Sequence, residues 1–299
     1  MHQILPMIKF DKPPHLIEAE TCFSRKYPTA DIPEEEAKHL QQSWDESVCQ
    51  YEFNNLLNSA NQIHSARLLA AAAPHSGAWL HALPLAELGL NLSPETVRIA
   101  VALRLGARIC EPHRCRCGKL VDTLGHHGLA CSRSKNDGRL PRHAQLNDII
   151  KRSLATAGIP SWLEPVGLHQ EDGRRPDGIT VFPFSGGKSL SWDATCVDTY
   201  CQSSIGDTAH TPGSAANKAE QRKNSHYSSL TVSYRFEPIA IETTGVMGKS
   251  TSKFISELGR RLTGVTGDKR ETSWLRQRLA VAVVRGNATS IQATGTLAH

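Results

Sequence analysis

Two groups of side chains in this chain have the residue types and spacing of metal sites. The first group holds cysteines and histidines, in Cys115-Arg-Cys117-Gly and then His126-His127-Gly-Leu-Ala-Cys131. A closed structural zinc site takes four thiolate or imidazole ligands in a tetrahedron. Cys115 and Cys117 can supply one edge of that tetrahedron, and a histidine with Cys131 can supply the other. The sequence therefore predicts a zinc site with Cys115, Cys117, His127 and Cys131 as ligands.

Other residues close to this group could replace one of the four ligands. His126 lies one residue from His127 and is its nearest rival, while Cys110 and His113 are further reserves. The Cys-x-Cys spacing is also tighter than the gap of two to four residues found in most zinc sites. The alternative interpretation is a set of buried free cysteines with histidines that face solvent.

The second group is acidic. Asp177 follows Arg174-Arg175-Pro176 and opens one predicted strand, and Asp193 lies in the next strand, after a short turn. Antiparallel strands joined in this way can bring two carboxylates to one end of a sheet. Two convergent carboxylates bind Mg²⁺, a hard cation that prefers oxygen ligands and keeps several waters. Such an ion can activate a water and stabilise charge on a phosphodiester.

A lysine and a tyrosine follow the acidic pair. Lys223 and Tyr227 are four residues apart, so a helix would place them on one face. A lysine there can orient the attacking water or offset developing negative charge. Lys218 is the rival lysine, and Glu164 could supply a third acid. An aspartate at a strand end is most often a turn former, so the order of all these residues carries the prediction.

One apparent phosphate-binding motif is excluded. Gly187-Lys188-Ser189 resembles the end of a P-loop, but that motif also needs a glycine five residues earlier, where Phe182 stands. The segment also lies between two predicted strands and opens no helix. Ser185-Gly186-Gly187 therefore predicts a hairpin turn.

The composition is typical of a globular protein that can bind nucleic acid. The 299 residues are 39% hydrophobic and 21% charged, with a net charge of +5 and a pI of about 8.8. This weak positive charge permits nucleic-acid binding without demanding it. No apolar run reaches the roughly 18–20 residues of a membrane span, and the first residues lack the shape of a signal peptide. We expect a nuclear or cytoplasmic chain that is not secreted and has reduced cysteines.

Hydrophobic periodicity and turn residues place these groups on elements. The Pro-rich residues 1–35 are expected to be irregular, and Ser93-Pro94 is a helix start. Helices are predicted over residues 35–72, 94–107, 142–157, 214–230, 250–263 and 271–285. Strands are predicted over residues 161–169, 178–184, 189–199 and 234–243. This order predicts an α/β (α+β) fold, with a mixed β-sheet flanked by helices.

The order of the motifs resembles the C-terminal region of non-LTR retrotransposon polyproteins that carry a restriction-like endonuclease. The matching motifs are the Cys-Cys-His-Cys group, Arg142-His143, Pro176-Asp177, Asp193, and Lys223 with Tyr227. The resemblance extends from about residue 65 to 288. It includes the segments PHSGAWLHALP, LRLGARICEPHRC, DGRRPDGITV, IAIETTGVMG, ELGRRLTGVTG and QRLAVAVVRGNA.

The resemblance implies three regions. Residues 1–109 would be a helical lead-in similar to the tail or linker of a retroelement polymerase, residues 110–131 a zinc knuckle, and residues 142–290 a restriction-like domain of the PD-(D/E)XK type. The implied activity is Mg²⁺-dependent nicking of target DNA, which primes reverse transcription. The implied partners are DNA and element RNA, with no membrane. The sequence specifies no oligomeric state.

The resemblance also implies a role for each residue. Asp177 and Asp193 would hold Mg²⁺, and Lys223 would position or polarise the attacking water. Tyr227 would support the scissile phosphate or that lysine. Arg142 and His143 would contact DNA, although His143 can equally be a capping or packing histidine.

The chain departs from the common pattern of such nucleases, in which the gap from Asp177 to Asp193 would be slightly shorter. Thr195 stands where many of them have a lysine two residues after the second acid, but this family places the lysine on the following helix, which fits Lys223. No paired-aspartate turn of a polymerase is found, so no reverse transcription is expected from this chain alone. The alternative function is a catalytically silent, zinc-containing remnant that binds nucleic acid. A third interpretation is a zinc-stabilised protein with no nucleic-acid role.

Overall fold

The structure is a computed structural model that describes residues 12–33, 40–168 and 173–295. The chain divides into two compact units, Met1–Ala60 and Asn61–His299. In the first unit, α1 (Pro14–Lys26) and α2 (Leu40–Ser59) are helices. Phe23 packs edge-on against Trp44, with ring centroids 4.5 Å apart. The expectation that residues 1–35 are irregular is therefore wrong for α1, which begins with a proline at a position where helices tolerate it.

The second unit begins with α3 (Gln62–Ala72). The Asn61 side chain caps this helix by accepting from the backbone N–H of His64 at 3.0 Å. The single helix predicted over residues 35–72 is therefore two helices, and residues 35–39 of that prediction lie outside the described residues. Next comes α4 (Pro94–Leu105), whose N-cap is Ser93 as predicted.

A small cysteine-bearing segment connects α4 to the rest of the unit. It contains a two-stranded sheet, β1 (His113–Arg114) and β2 (Leu120–Val121), and the single-turn helix α5 (His127–Ala130). A π-helical turn over Lys135–Arg139 then leads directly into α6 (Leu140–Thr156). Residues 135–141, which precede the helix predicted to begin at residue 142, are thus helical as well.

The main sheet has four strands in the order β3-β4-β5-β6. They are β3 (Ser161–Leu163), β4 (Gly178–Ser185), β5 (Lys188–Val197) and β6 (Arg235–Glu242). The first three strands are antiparallel, and β5 and β6 are parallel, so the predicted mixed sheet flanked by helices is confirmed. The strand predicted over residues 161–169 stops at Leu163, and His169 lies outside the described residues.

The turn between β4 and β5 has the backbone that its two glycines allow. Gly186 has φ 57° and Gly187 has φ 74°. Two successive residues with positive φ are typical of a type I′ hairpin turn, which matches the twist of the flanking strands. The hairpin turn predicted from these glycines is confirmed.

Helices cover both faces of the sheet. The remaining helices are α7 (Ile205–Thr208), α8 (Ser214–His226), α9 (Lys249–Thr266) and α10 (Glu271–Gln292). Ile239 and Ile241 of β6 join the main core with α6, α9 and α10, whereas Ala240 packs with alanines of α8. Because successive strand residues point to opposite faces, α8 lies on the other side of the sheet from that core. No helix among the described residues is long and apolar enough to cross a membrane.

Trp192 fixes the centre of this core. It is fully buried, and its indole N–H donates to the side-chain oxygen of Asn147 in α6 at 2.9 Å. The ring covers Gly178 on the neighbouring strand, where an added Cβ would lie 2.1 Å from the indole. The absence of a side chain at residue 178 therefore allows β4, β5 and α6 to meet.

Substituting this glycine tests that contact. We expect Gly178→Ala to lower the free energy of unfolding by about 1–3 kcal/mol, because the methyl group overpacks a closed core. Gly206→Ala is the matched control, since an added Cβ there meets nothing within 4 Å. Chemical denaturation of both variants measures the difference, and equal stability of the two would contradict the proposed packing.

Candidate metal sites

The four predicted zinc ligands lie together. The ligand atoms of Cys115, Cys117, His127 and Cys131 are all within 4.8 Å of one another. The Cys115 and Cys131 sulfur atoms are 3.6 Å apart, and Cys117 Sγ is 3.2 Å from His127 Nε2. This group, which we call the cysteine cluster, could hold a metal ion, and its donor set is compatible with zinc.

A tight turn positions the first two cysteines. The backbone N–H of Cys115 donates to the Lys119 carbonyl at 2.9 Å, and Gly118, with φ 86°, donates to the Cys115 carbonyl at 2.8 Å. The pKa of Cys117 is lowered, chiefly by a hydrogen bond from the Lys119 backbone. Burial has the opposite effect on Cys115 and raises its pKa. The turn thus favours the thiolate form of Cys117, which is the form that binds metals.

The rival ligands have other partners. His126 stacks on Tyr200 with ring centroids 4.0 Å apart, and burial lowers its pKa to about 4. Cys110 Sγ donates to the Asp122 carbonyl at 3.2 Å, and His113 lies 3.1 Å from the Thr294 hydroxyl. The structure therefore favours His127 over His126 as the fourth ligand of the cysteine cluster. The sequence alone could not separate these two adjacent residues.

The second site forms where β4 and β5 pair. Gly178 pairs with Trp192 in antiparallel register, which places the preceding Asp177 next to Asp193. The Asp177 backbone N–H donates to the Trp192 carbonyl at 2.9 Å, and its carboxylate accepts from the Ala194 backbone N–H at 2.7 Å. The predicted acidic pair is brought together at this end of the hairpin.

A histidine from α6 joins the acidic pair. His143 Nε2 is 3.0 Å from Asp177 Oδ2, and the ligand atoms of His143, Asp177 and Asp193 lie within 4.8 Å of one another. From the sequence, His143 was expected to contact DNA, and its contact with Asp177 was not predicted. Its position one turn before Asn147 explains the contact, because Asn147 bonds Trp192, the residue before Asp193.

Helix α8 adds a cation from the opposite face of the sheet. Lys223 Nζ forms an ion pair with Asp193 Oδ1 at 2.6 Å. Tyr227, one residue beyond the helix, donates to the Arg175 carbonyl at 2.9 Å, and its hydroxyl also acts to lower the pKa of Asp193. Lys218 instead pairs with Asp207. We call His143, Asp177, Asp193, Lys223 and Tyr227 the acidic site.

Burial and charge oppose each other in the acidic site. For Asp193, burial raises the pKa above 3.8, Asp177 adds to the rise and Lys223 works against it. Burial also disfavours ionised Asp177, but the hydrogen bonds from His143 and the Ala194 N–H outweigh it, so this pKa is lowered. The hydrogen bond to Asp177 raises the pKa of His143. Two adjacent carboxylates are thus stabilised by nearby positive charge, and a divalent cation could supply that charge.

Two buried glutamates fix the helices that line this region. Glu242 accepts from the backbone N–H groups of Ala215 and Ala216 in the first turn of α8, at 3.0 and 3.3 Å. Glu220, on the same helix, accepts from the N–H groups of Ser250 and Thr251 in the first turn of α9. A carboxylate that accepts from a helix N-terminus is stabilised by the helix dipole. These contacts hold α8, and therefore Lys223, against the sheet.

Arg142 and Glu164, which the sequence analysis considered as a DNA contact and a third acid, both lie outside the acidic site. Arg142 is 2% exposed and donates to the Asn287 side chain in α10. The Arg142 guanidinium is thus held inside the fold, and its predicted contact with DNA stays a prediction. The Glu164 carboxylate is 71% exposed and pairs with Arg175.

Comparison with known proteins adds no family to this description. The chain matches no protein-family model and no curated protein.

The His143–Asp177 contact makes stability depend on pH. The pKa of His143 is raised above 6.5 in the folded state, so its stabilising contribution is present below about pH 6.5 and is lost as the pH rises through the raised value. The imidazole is 39% exposed, so we expect a contribution below about 1 kcal/mol. Urea unfolding from pH 6 to 9, without added divalent cations, should show this loss in the wild-type chain and not in His143→Asn. Parallel pH profiles would contradict the contact.

Proposed function

We propose that residues 142–290 form a metal-dependent DNA endonuclease domain with a restriction-like fold, of retrotransposon origin. The observation that carries the proposal is the placement of Lys223 within 2.6 Å of Asp193, beside Asp177. Two carboxylates at the open end of a β-hairpin can hold a metal ion, and the lysine beside them can stabilise the charge that develops when a phosphodiester is hydrolysed. The mixed sheet with helices on both faces supports the PD-(D/E)XK type of fold.

Asp177 and Asp193 would hold Mg²⁺ in this domain. Both side chains are largely buried, at 17% and 13% exposure, and carboxylate oxygens are the ligands that Mg²⁺ prefers. His143 would lie beside the ion. When bound, the ion would lower the pKa of a coordinated water and offset charge on the phosphate.

Lys223 and Tyr227 would act on the reacting groups. Lys223 would position the attacking water and stabilise the charge that develops on the phosphate. The water oxygen attacks phosphorus and loses its proton to solvent, while the bond to the 3′ oxygen breaks and that oxygen is protonated. The products are a 5′-phosphate and a 3′-hydroxyl, which a polymerase can extend. Tyr227, held by the Arg175 carbonyl, would support the scissile phosphate or Lys223.

The biological setting follows from the resemblance to retroelement polyproteins. Nicking of target DNA would prime reverse transcription by a polymerase that this chain does not supply by itself. The partners would be DNA and element RNA, in the nucleus or cytoplasm. The weak positive charge of the chain, +5, is compatible with such partners.

We also propose that the cysteine cluster binds zinc and forms a structural knuckle. Three thiolates and one imidazole fill the four positions of a tetrahedral zinc site and leave no position for a substrate. The segment around the cluster has a small apolar core of its own, so the metal would supply much of its folding energy.

Paired histidine variants test the zinc site. We expect about one zinc ion per purified chain, by analogy with other four-ligand sites. His127→Ala should lose this zinc and unfold at a lower temperature, because one of four ligands is missing. His126→Phe keeps the ring stacked on Tyr200 and should retain the metal. Elemental analysis and thermal unfolding measure both effects, and full zinc occupancy in His127→Ala would contradict the assignment.

A nicking assay on supercoiled plasmid tests the acidic site. We expect Mg²⁺-dependent nicking that falls at least about 100-fold in Asp193→Asn and in Lys223→Gln, the order of loss when an enzyme loses a preorganised electrostatic contact. Asp207→Asn and Lys218→Gln are the matched controls. These two residues form an ion pair of the same kind, with Lys218 on the same helix but apart from the acidic site.

The outcomes separate the proposed enzyme from its alternative. Nicking that survives Asp193→Asn would place the activity elsewhere or in a contaminant. Binding of DNA without nicking, by a zinc-loaded and folded chain, would favour a silent remnant that only binds nucleic acid.

A further inference from the structure

The segment PHSGAWLH, residues 74–81, takes no part in the cysteine cluster or the acidic site. Its last four residues form a single 3₁₀ turn, Ala78–His81. With α3, α4 and the N-terminal half of α10, it surrounds an open cavity of about 370 Å³. We call this cavity the basic pocket.

The charge on the lining of the basic pocket comes from two arginines. Its ionisable side chains are those of His75, His81, Arg104 and Arg276, and no acidic residue lines it in the part of the chain that the structure describes. The other lining residues are uncharged; they are Ala71, Ala73, Gly77, Ala78, Ser273 and Gln277. The chain therefore offers no counter-ion for these cations within the pocket.

The hydrogen bonds of the two arginines leave this charge uncompensated. Arg104 donates to the Ala71 carbonyl at 2.8 Å, and Arg276 donates to the Ser256 hydroxyl at 2.9 Å. The Arg276 Nε is buried and has no acceptor among the described residues. Burial lowers the pKa of both arginines. The pKa of His75 is also lowered, first by burial and then by the nearby positive charge of Arg276. Half-buried cations without a carboxylate are costly, and a bound anion would remove that cost.

The backbone of the pocket is held in a specific conformation. His75 has φ 65°, a left-handed conformation that is uncommon for residues other than glycine. The buried Ser76 hydroxyl donates to the Ala71 and Ala73 carbonyls at 3.3 and 3.0 Å and so fixes the turn. A Cβ at Gly77 would lie 3.1 Å from Arg104 Nη2. Left-handed residues other than glycine cluster at functional sites.

We propose that the basic pocket binds a phosphate group, carried by a nucleic-acid strand or by a small phosphorylated molecule. Guanidinium groups match phosphate oxygens in charge and in planar, two-point hydrogen bonding. The cavity is several times larger than one phosphate, so it also leaves room for the group that carries the phosphate. The pocket is lined by none of the residues of the acidic site, so this proposal stands whether or not the chain cuts DNA.

Binding to inorganic phosphate and to a short single-stranded DNA, measured by calorimetry without divalent metal, tests the proposal. We expect Arg276→Gln to weaken phosphate binding about tenfold or more, the loss expected for a charge-assisted hydrogen bond. His75→Asn removes the imidazole but tolerates the left-handed backbone, and it should also weaken binding. Arg260→Gln, an exposed arginine of α9 outside this lining, is the matched control and should bind normally.

The DNA arm identifies the source of the phosphate. Parallel loss of DNA and phosphate binding in Arg276→Gln would assign the pocket to a nucleic-acid strand, and loss of phosphate binding alone would assign it to a small ligand. Thermal unfolding verifies that each variant is folded, and Arg276→Lys, which keeps the charge, should bind better than Arg276→Gln. The proposal is overturned if the wild-type chain binds no phosphate at roughly 10 mM. Equal binding by Arg276→Gln, His75→Asn and Arg260→Gln would also overturn it.

Discussion

The antiparallel pairing of β4 with β5 is the contact on which the acidic site depends. It places Asp177 beside Asp193 in a largely buried position, where two negative charges repel each other and lose hydration. Positive charge or hydrogen-bond donors stabilise such a pair in its ionised form. Here His143 and the Ala194 N–H reach Asp177, and Lys223 reaches Asp193. Helices α6 and α8 position the two side chains, His143 and Lys223, that make these contacts.

Each cation comes from a different side of the sheet. His143 comes from α6, which is fixed by the hydrogen bond between Asn147 and the buried Trp192. Lys223 comes from α8, which packs on β6 through alanines and is held at its first turn by Glu242. A small side chain at residue 178 is needed for Trp192, and therefore for α6, to approach the hairpin. A packing contact at Gly178 is thus coupled to the geometry of the acidic site.

Much of this arrangement was predictable because it is local. The two glycines after Ser185 specify the turn and therefore the antiparallel pairing of β4 with β5. The register shifts twice between Ile179 and Ser185, so the exact pairing of Gly178 with Trp192, which places Asp177 beside Asp193, does not follow from the turn alone. The i,i+4 spacing likewise indicated that Lys223 and Tyr227 share a face. The contact of His143 with Asp177 spans 34 residues and depends on how α6 crosses the sheet, which no local pattern encodes. The same limit explains Arg142, whose burial against α10 depends on a helix about 145 residues further along the chain.

The central claim is that Asp177 and Asp193 together bind a divalent cation. Titration of the zinc-loaded chain with Mn²⁺, followed by electron paramagnetic resonance of the free ion, measures that binding directly and needs no DNA or turnover. The account predicts a Mn²⁺ site that is lost in Asp177→Asn and in Asp193→Asn and is kept in Asp207→Asn. Absence of Mn²⁺ binding in the wild-type chain, or binding that survives both substitutions, would contradict it.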